Sequence, residues 1–387
     1  MELSKLPTPV YVIDVEKLEN NLKILNNVEK QTGAKILLAQ KCFSGFALYP
    51  LISKYISGTT ASGIFEARLG KEEMGKENHV FAPAYKDEDM KELVKICDHI
   101  IFNSKNQLLK HKATVDSANK SGFNVSVGIR INPEFSTQKD HAIYDPCASG
   151  SRMGIRICDI DDEIIENIDG LHFHTLCEQN SDDLEKTLEE VERKFGKYLY
   201  KLKWLNMGGG HHITREDYDV ERLIKCINHM KEKYDIEIYL EPGEAVALNA
   251  GLNVTTVLDK VSNGITTLIL DTSAACHMPD VLEMPYTPPL QDAVDKESFE
   301  GEIKESNYLY RLAGNTCLAG DVIGDYVFNK EINIGDRLIF EDMAIYSMVK
   351  NNTFNGIPLP SIAAMDKNKE CRIIKSFGYE DFKNRLS

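Results

Sequence analysis

The chain has 387 residues, and its 9 cysteines are odd in number, scattered and without a single C-x-x-C spacing. That excludes a zinc ribbon and a disulfide framework. It leaves reduced thiols, one of which is free for chemistry. No run of about 18 apolar residues occurs, so no membrane span is expected. The N-terminus, MELSKLPTPV, lacks a basic stretch followed by an apolar one. No export signal is expected there, and a cytoplasmic location follows. Positive charge is scarce: 45 Lys and Arg against 60 Asp and Glu leave a net charge of −15. Such a chain repels phosphate backbones, which argues against nucleic acid as a partner and suits cationic small molecules. The first strand–helix turn lacks G-x-G-x-x-G, the loop a dinucleotide-binding open sheet would carry. Repeats, low-complexity tracts and metal-ligand spacings are absent as well.

What is present is the balance of a globular enzyme, 42% hydrophobic and 27% charged. Eight short apolar runs alternate with amphipathic segments. The runs are KILLAQ (35–40), ISGTTAS (56–62), HVFAPA (79–84), DHIIFN (98–103), NVSVGIRIN (124–132), GLHFHT (170–175), KWLNMGG (203–209) and IEIYLEPG (236–243). Between them, stretches such as DEDMKELVKIC and SDDLEKTLEEVERKFG place apolar residues at i, i+3 and i+4, and Ser104 and Ser181 stand where N-caps belong. Eightfold strand–helix alternation predicts an α/β fold, a (β/α)₈ TIM-type barrel over residues 15–250. Beyond 250 the runs NVTTVLDKV, ITTLILDTS, NYLYRLAG, DYVFNKEIN and DRLIFED are β-like with few helices between them. With VYVID (10–14) they predict a C-terminal β domain, barrel-like or sandwich, built from 1–14 and 251–387.

Barrel chemistry gathers at the C-terminal ends of the strands. Those ends carry Lys41, Ser62, Arg130, His174, Gly208–Gly210 and Glu241. A lysine pressed against an apolar core loses hydration, which frees its amine as a nucleophile; a snorkelling strand-end lysine looks the same in sequence. The bare N–H groups of MGGG (207–210) can cradle a phosphate, although a tight turn would use the same glycines. Glu241, fixed by Pro242 and Gly243, can face a ring nitrogen or brace a loop. His174 can stack on an aromatic ring; His172 shares its parity one layer deeper. In the tail, GNTCLAGD sets Cys317 and Asp321 in a Gly-rich turn, where a thiol is exposed enough to act as an acid.

In this order these residues resemble the fold-type III, alanine racemase-like decarboxylases that use pyridoxal 5′-phosphate. The resemblance spans nearly the whole chain. It rests on the lysine after the first barrel strand, SRMGI (151–155), HFHT, MGGG, EPG, G-x-x-C-x-x-x-D (314–321), F-x-x-M-x-x-Y (340–346) and TFNG (353–356). HTLCE (174–178), EPGEA (241–245) and LDTSAACHMPDVLEMPY (270–286) are similar to a branch that acts on carboxylated polyamines. Two departures from the ornithine and diaminopimelate enzymes agree with that branch. Those enzymes carry arginine after EPG, near the cofactor phosphate, where this chain has Glu244. They carry an acidic residue after the cysteine, where this chain has Leu318.

The resemblance implies roles. Lys41 would hold the cofactor through its amine, His174 would stack on it, and Glu241 would keep its ring nitrogen protonated. Gly208, Gly209 and Gly210 would bind phosphate together with Tyr346. Cys317 would return a proton to the substrate from a neighbouring subunit, so a homodimer with shared sites is implied. Glu244, Asp271, Asp280 and Asp321 are the candidates to meet a carboxypolyamine substrate. A diaminopimelate or other basic amino-acid decarboxylase, an amino-acid racemase, and an inactive regulatory relative are the alternatives.

Overall fold

The computed structural model describes residues 1–138, 144–304 and 306–387. Two compact units result: Asn20–Val246, and Met1–Glu19 with Ala247–Ser387.

In the first unit the eight apolar runs supply eight strands. They are β2 (Lys35–Ala39), β3 (Gly58–Ala61), β4 (Glu77–Phe81), β5 (His99–Phe102), β6 (Ser126–Arg130), β7 (Gly170–His172), β8 (Trp204–Asn206) and β9 (Glu237–Leu240). Each pairs in parallel with the next, and β2 pairs with β9 to close the barrel. The helix Ser181–Leu199 buries Leu184, Leu188, Val191, Phe195 and Leu199, and Val220–Tyr234 buries Leu223, Ile227, Met230 and Tyr234. Both stripes follow the helical repeat and leave a charged face outside. Ser104 caps the helix Lys105–Lys120, its hydroxyl accepting from the Gln107 N–H. Ser181 is not a cap. Asn180, one residue earlier, accepts the Ser181 N–H at 2.7 Å, while the buried Ser181 hydroxyl donates to the Asp219 carbonyl.

The barrel interior is plugged near the strand N-termini. Gly128, Gly170 and Trp204 are level across β6, β7 and β8. A Cβ on Gly170 would lie 2.0 Å from the indole of Trp204, and one on Gly128 would lie 2.2 Å from it, so the chain's one tryptophan fits only over two glycines. Tyr239, His79 and His99 pack beside it. Below them Lys35 forms ion pairs with Glu77 (2.8 Å) and Glu237 (2.9 Å). Glu77 also accepts from His79 Nε2 at 3.0 Å. Glu77, His79 and His99 are the one His/Asp/Glu/Cys group among the described residues close enough to gather on a cation. The two imidazoles are stacked 4.0 Å apart with planes 11° from parallel. Both Nε2 atoms face the same Glu77 oxygen, at 3.0 and 3.7 Å, and the three residues form a polar floor to the barrel.

The second unit is built on β1 (Val10–Asp14), β10 (Gly251–Asn263), β11 (Ile265–Leu270), β12 (Ala293–Asp295), β13 (Tyr308–Ala313), β14 (Val322–Phe328), β15 (Arg337–Glu341), β16 (Ser361–Met365) and β17 (Cys371–Lys375). They form one connected, mostly antiparallel sheet in the order β12-β14-β13-β11-β10-β1-β16-β17, with β15 also on β10. The 13-residue β10 makes this possible. Its first half lies between β1 and β15, and its second half pairs with β11. Alternation along β1 serves two cores: Val10 and Val12 pack with Leu252, Val254 and Ala363, while Tyr11 joins Leu268, Leu312 and Phe340. MPYTPPL (284–290) is a loop, closed by a bridge from Leu290 to Phe340. No helix among the described residues is long and apolar enough to cross a membrane.

Candidate active site

At the strand C-termini of the barrel a hydrogen-bonded carboxylate occupies the centre. Glu241, directly after β9, is 6% exposed. One oxygen accepts from His172 Nε2 at 3.1 Å, the other from the Asn206 amide at 2.8 Å. Burial alone would raise its carboxyl; the hydrogen bonds from His172 and the Asn206 amide outweigh that and hold it below the usual carboxylate range. Glu241 is therefore ionised at neutral pH. Burial also lowers His172, so a neutral imidazole donates its one hydrogen to Glu241. Nδ1 of His172 is left without a partner among the described residues.

His174, two residues beyond, lies against the glycine run. The Gly209 N–H donates to its Nδ1 at 2.7 Å. Burial, followed by the charges of Lys41 and Arg130, keeps His174 well below its usual value. The ring is neutral and fixed in one tautomer, with its hydrogen on Nε2. Arg130, at the end of β6, is buried with its guanidinium 4.7 Å above the Phe81 ring and donates to the His174 carbonyl. Burial brings it down to about 10, and it stays charged.

Gly208 and Gly210 have φ of 68° and 80°. A Cβ at Gly208 would lie 2.3 Å from the Phe173 carbonyl oxygen, and one at Gly210 would lie 1.9 Å from that of Leu176. Glycine is thus required by both backbone angle and space. The expected use of all three N–H groups on a phosphate needs correction. Gly208 donates to Asn206 Oδ1 and Gly209 to His174, so two of the three are spent inside the protein. Only the Gly210 N–H makes no hydrogen bond among the described residues.

Lys41 also departs from its sequence reading. It follows β2 in a turn and is exposed, so burial in an apolar core does not activate its amine. Its charge acts on His174, Glu66 and Cys177. Glu244, directly after Gly243, is half-buried, with a carboxylate oxygen 3.8 Å from His212 Nε2. The barrel unit therefore brings together Lys41, His174, Gly208–Gly210, Glu241 and Glu244. Sequence reasoning missed Asn206 and His212. Asn206 shares the inward parity of Gly208, a signal that was available; His212 is placed by long-range pairing alone.

The remaining candidates lie in the β unit. Cys317 is exposed, its N–H donating to the Asn355 side chain of TFNG at 2.8 Å. Asp321 is 2% exposed and accepts from the hydroxyls of Ser273 and Thr316 and from the Ala275 N–H. It braces the turn that carries Cys317, and its oxygens are not held ready for a ligand. Asp271 is similarly occupied by the hydroxyls of Thr8 and Thr255 and by the Thr256 N–H. Asp280 and Glu283 share the ammonium of Lys350. Tyr346 has φ 54°, a left-handed backbone that a tyrosine adopts at a cost of about 1–3 kcal/mol.

A family model described as the pyridoxal-dependent decarboxylase C-terminal sheet domain matches residues 10–344. A carboxynorspermidine/carboxyspermidine decarboxylase of Campylobacter jejuni is 42% identical over 100% of both chains. A carboxyaminopropylagmatine decarboxylase of Synechocystis is 39% identical over 99% of this chain and 96% of its own. The crystal structure of the Campylobacter jejuni carboxynorspermidine decarboxylase complexed with norspermidine superimposes with a TM-score of 0.90 at 41% identity, covering 98% of this chain and 100% of that one.

Proposed function

The chain belongs to the pyridoxal-dependent decarboxylases, and from that premise we propose that it converts carboxynorspermidine or carboxyspermidine to norspermidine or spermidine in polyamine biosynthesis. One observation carries the substrate: the end-to-end 42% identity with the Campylobacter jejuni enzyme. The 39% match to the carboxyaminopropylagmatine enzyme favours a second reading, a substrate with the same carboxylated aminopropyl end and a guanidinium at the other. Leu318 supports both over ornithine, because no acidic side chain follows the cysteine to read a short diamine.

The barrel residues fit pyridoxal phosphate. A buried ionised carboxylate suits a ring nitrogen that must stay protonated, and the left-handed Gly210 offers an N–H that makes no hydrogen bond among the described residues. When bound, this group supplies an electron sink for the bond that breaks. Lys41 would hold it through its amine. His174, neutral and fixed by Gly209, offers its ring as a flat wall. Glu241 would hold a proton on the ring nitrogen by charge pairing, assisted by His172 and Asn206, which keep the carboxylate ionised and aimed. The substrate's Cα–carboxylate bond breaks, carbon dioxide leaves, and the Cys317 thiol returns a proton to the same carbon.

In the homodimer we infer, the Cys317 thiol of one subunit serves the barrel of the other. The cytoplasm is the compartment proposed, in keeping with nine free cysteines. The test is direct. The purified protein with carboxynorspermidine should release norspermidine and carbon dioxide in equal amounts, and Lys41→Ala should lose both the pyridoxal absorbance band and the turnover. Absence of turnover on all three carboxylated amines by wild type overturns the reading.

A further inference from the structure

TFNG (353–356) sets an asparagine amide against the turn that carries Cys317. The Asn355 side-chain oxygen accepts the Cys317 N–H at 2.8 Å. Asn355 has φ 58°, in the left-handed region. Asparagine enters that region more readily than any side chain of similar size, because its short amide bonds locally. One residue thus meets both demands of the place, a backbone angle and an acceptor. Glycine would meet the first alone, and alanine neither.

Both sides of this contact are fastened to one short helix, Ala274–His277. On the cysteine side, the buried Asp321 accepts from the Thr316 hydroxyl at 2.7 Å, from the Ser273 hydroxyl at 3.0 Å and from the Ala275 N–H at 3.1 Å. On the asparagine side, the Asn352 N–H donates to the Cys276 carbonyl at 2.9 Å and its amide to the Ala275 carbonyl at 2.8 Å. The Cys276 thiol donates to the Phe354 carbonyl at 3.5 Å. Helix, cysteine turn and TFNG close a ring of hydrogen bonds, and the bond from Cys317 to Asn355 is its exposed link. Residues 317–320 are all exposed, so hydrogen bonds rather than burial decide where the thiol sits.

We propose that Asn355 is a positioning residue for the Cys317 thiol: its amide fixes the cysteine backbone, and through it the face of the substrate carbon that the thiol reaches. This inference rests on the reading that Cys317 returns the proton. The electron pair left by departing carbon dioxide takes up the thiol proton at the same carbon, and the thiolate regains a proton from solvent, so no further reactant is needed. Asn355 touches neither substrate nor cofactor in this scheme. It acts through the backbone of Cys317 alone.

The test reads the face of protonation. Full-length holoenzyme turns over carboxynorspermidine or carboxyspermidine, whichever it consumes faster, in deuterium oxide. The reacting carbon keeps its own hydrogen and gains one deuterium, so it becomes a stereocentre whose configuration records the direction of attack. Wild type should give a single configuration. Asn355→Gly keeps the backbone angle and removes the amide. Its kcat should fall about tenfold, the scale of one lost hydrogen bond, with KM and the pyridoxal absorbance band unchanged, and its product should be of mixed configuration. Asn355→Asp keeps both the acceptor and the tolerance for the angle, and should recover most of the rate and the single configuration. A single configuration from Asn355→Gly, at whatever rate, overturns the inference, as does a loss in Asn355→Gly that Asn355→Asp fails to recover. A mixed configuration from wild type, or a Cys317→Ala variant that matches wild type in rate and configuration, overturns instead the reading of Cys317 as the proton donor.

Discussion

Glu241 is the residue whose surroundings cost the protein most and whose removal should be most telling. It is buried, both its oxygens are engaged, and His172 is left with an unpaired Nδ1 to keep it so. Glu241→Gln preserves shape and removes the charge. The expected outcome is a fall in kcat of about a hundredfold, the scale of one preorganised electrostatic contact, with cofactor occupancy little changed. Equal loss of occupancy and rate, measured by absorbance and carbon dioxide release, would mark a structural glutamate. Asn206 supports the same carboxylate, donating to Glu241 and accepting from Gly208. Asn206→Ala strands a buried N–H and loosens a buried charge. Stability should fall by about 2 kcal/mol, read as a lower urea midpoint at unchanged m-value. The sequence reading reached Glu241, His174 and the glycines because each ends an apolar run. It could not see that Gly208 and Gly209 spend their N–H groups inside the barrel, or that Asp321 and Asp271 are braces. Those facts depend on partners far along the chain: Ser273 for Asp321, Thr8 for Asp271.

Among the elements, the eight barrel strands are legible because short apolar-rich runs, mostly buried, alternate regularly with amphipathic helices. The strands end one to three residues before the apolar runs do. Beyond Leu240 or Asn206 the chain stays apolar or Gly-rich while leaving the ladder to carry chemistry. In the β unit, β12, β16 and β17 are short strands set among loops, without the regular strand–helix alternation that marks the equally short barrel strands. The strand N-termini hold a second ionic layer with its own pH signature. Burial alone would raise the Glu77 carboxyl, but the hydrogen bond from His79 and the Lys35 ammonium outweigh it and hold it below the usual carboxylate range. A depressed folded value adds stability above the unfolded value, about 4.3, and that stability is lost as the pH falls from there toward the folded value. Urea midpoints at pH 7 and pH 3 should therefore differ by less in Glu77→Gln than in wild type, by an amount worth about 1–2 kcal/mol. Identical pH profiles would mean that Lys35 and His79 contribute nothing through Glu77.

At the scale of the whole molecule, the acidic surplus and the two units meet the proposed chemistry. A net charge of −15 favours approach of a triamine, and rates should fall as salt screens it. Sharing of sites between subunits is testable by mixing. Lys41→Ala and Cys317→Ala are each expected to be nearly inactive alone. Hybrid dimers, formed under conditions of proven subunit exchange, should regain up to about a quarter of wild-type activity, because random pairing makes half the dimers hybrid and each hybrid has one intact site. No recovery would mean that Lys41 and Cys317 act from the same chain. Competition between substrates reads the preference of the site. Carboxynorspermidine, carboxyspermidine, carboxyaminopropylagmatine, meso-diaminopimelate and ornithine are offered together at equal concentration, and kcat/KM is taken from the relative consumption of each. The expected result is that carboxynorspermidine and carboxyspermidine are consumed first; a higher specificity constant for diaminopimelate, ornithine or carboxyaminopropylagmatine than for both of them would contradict it.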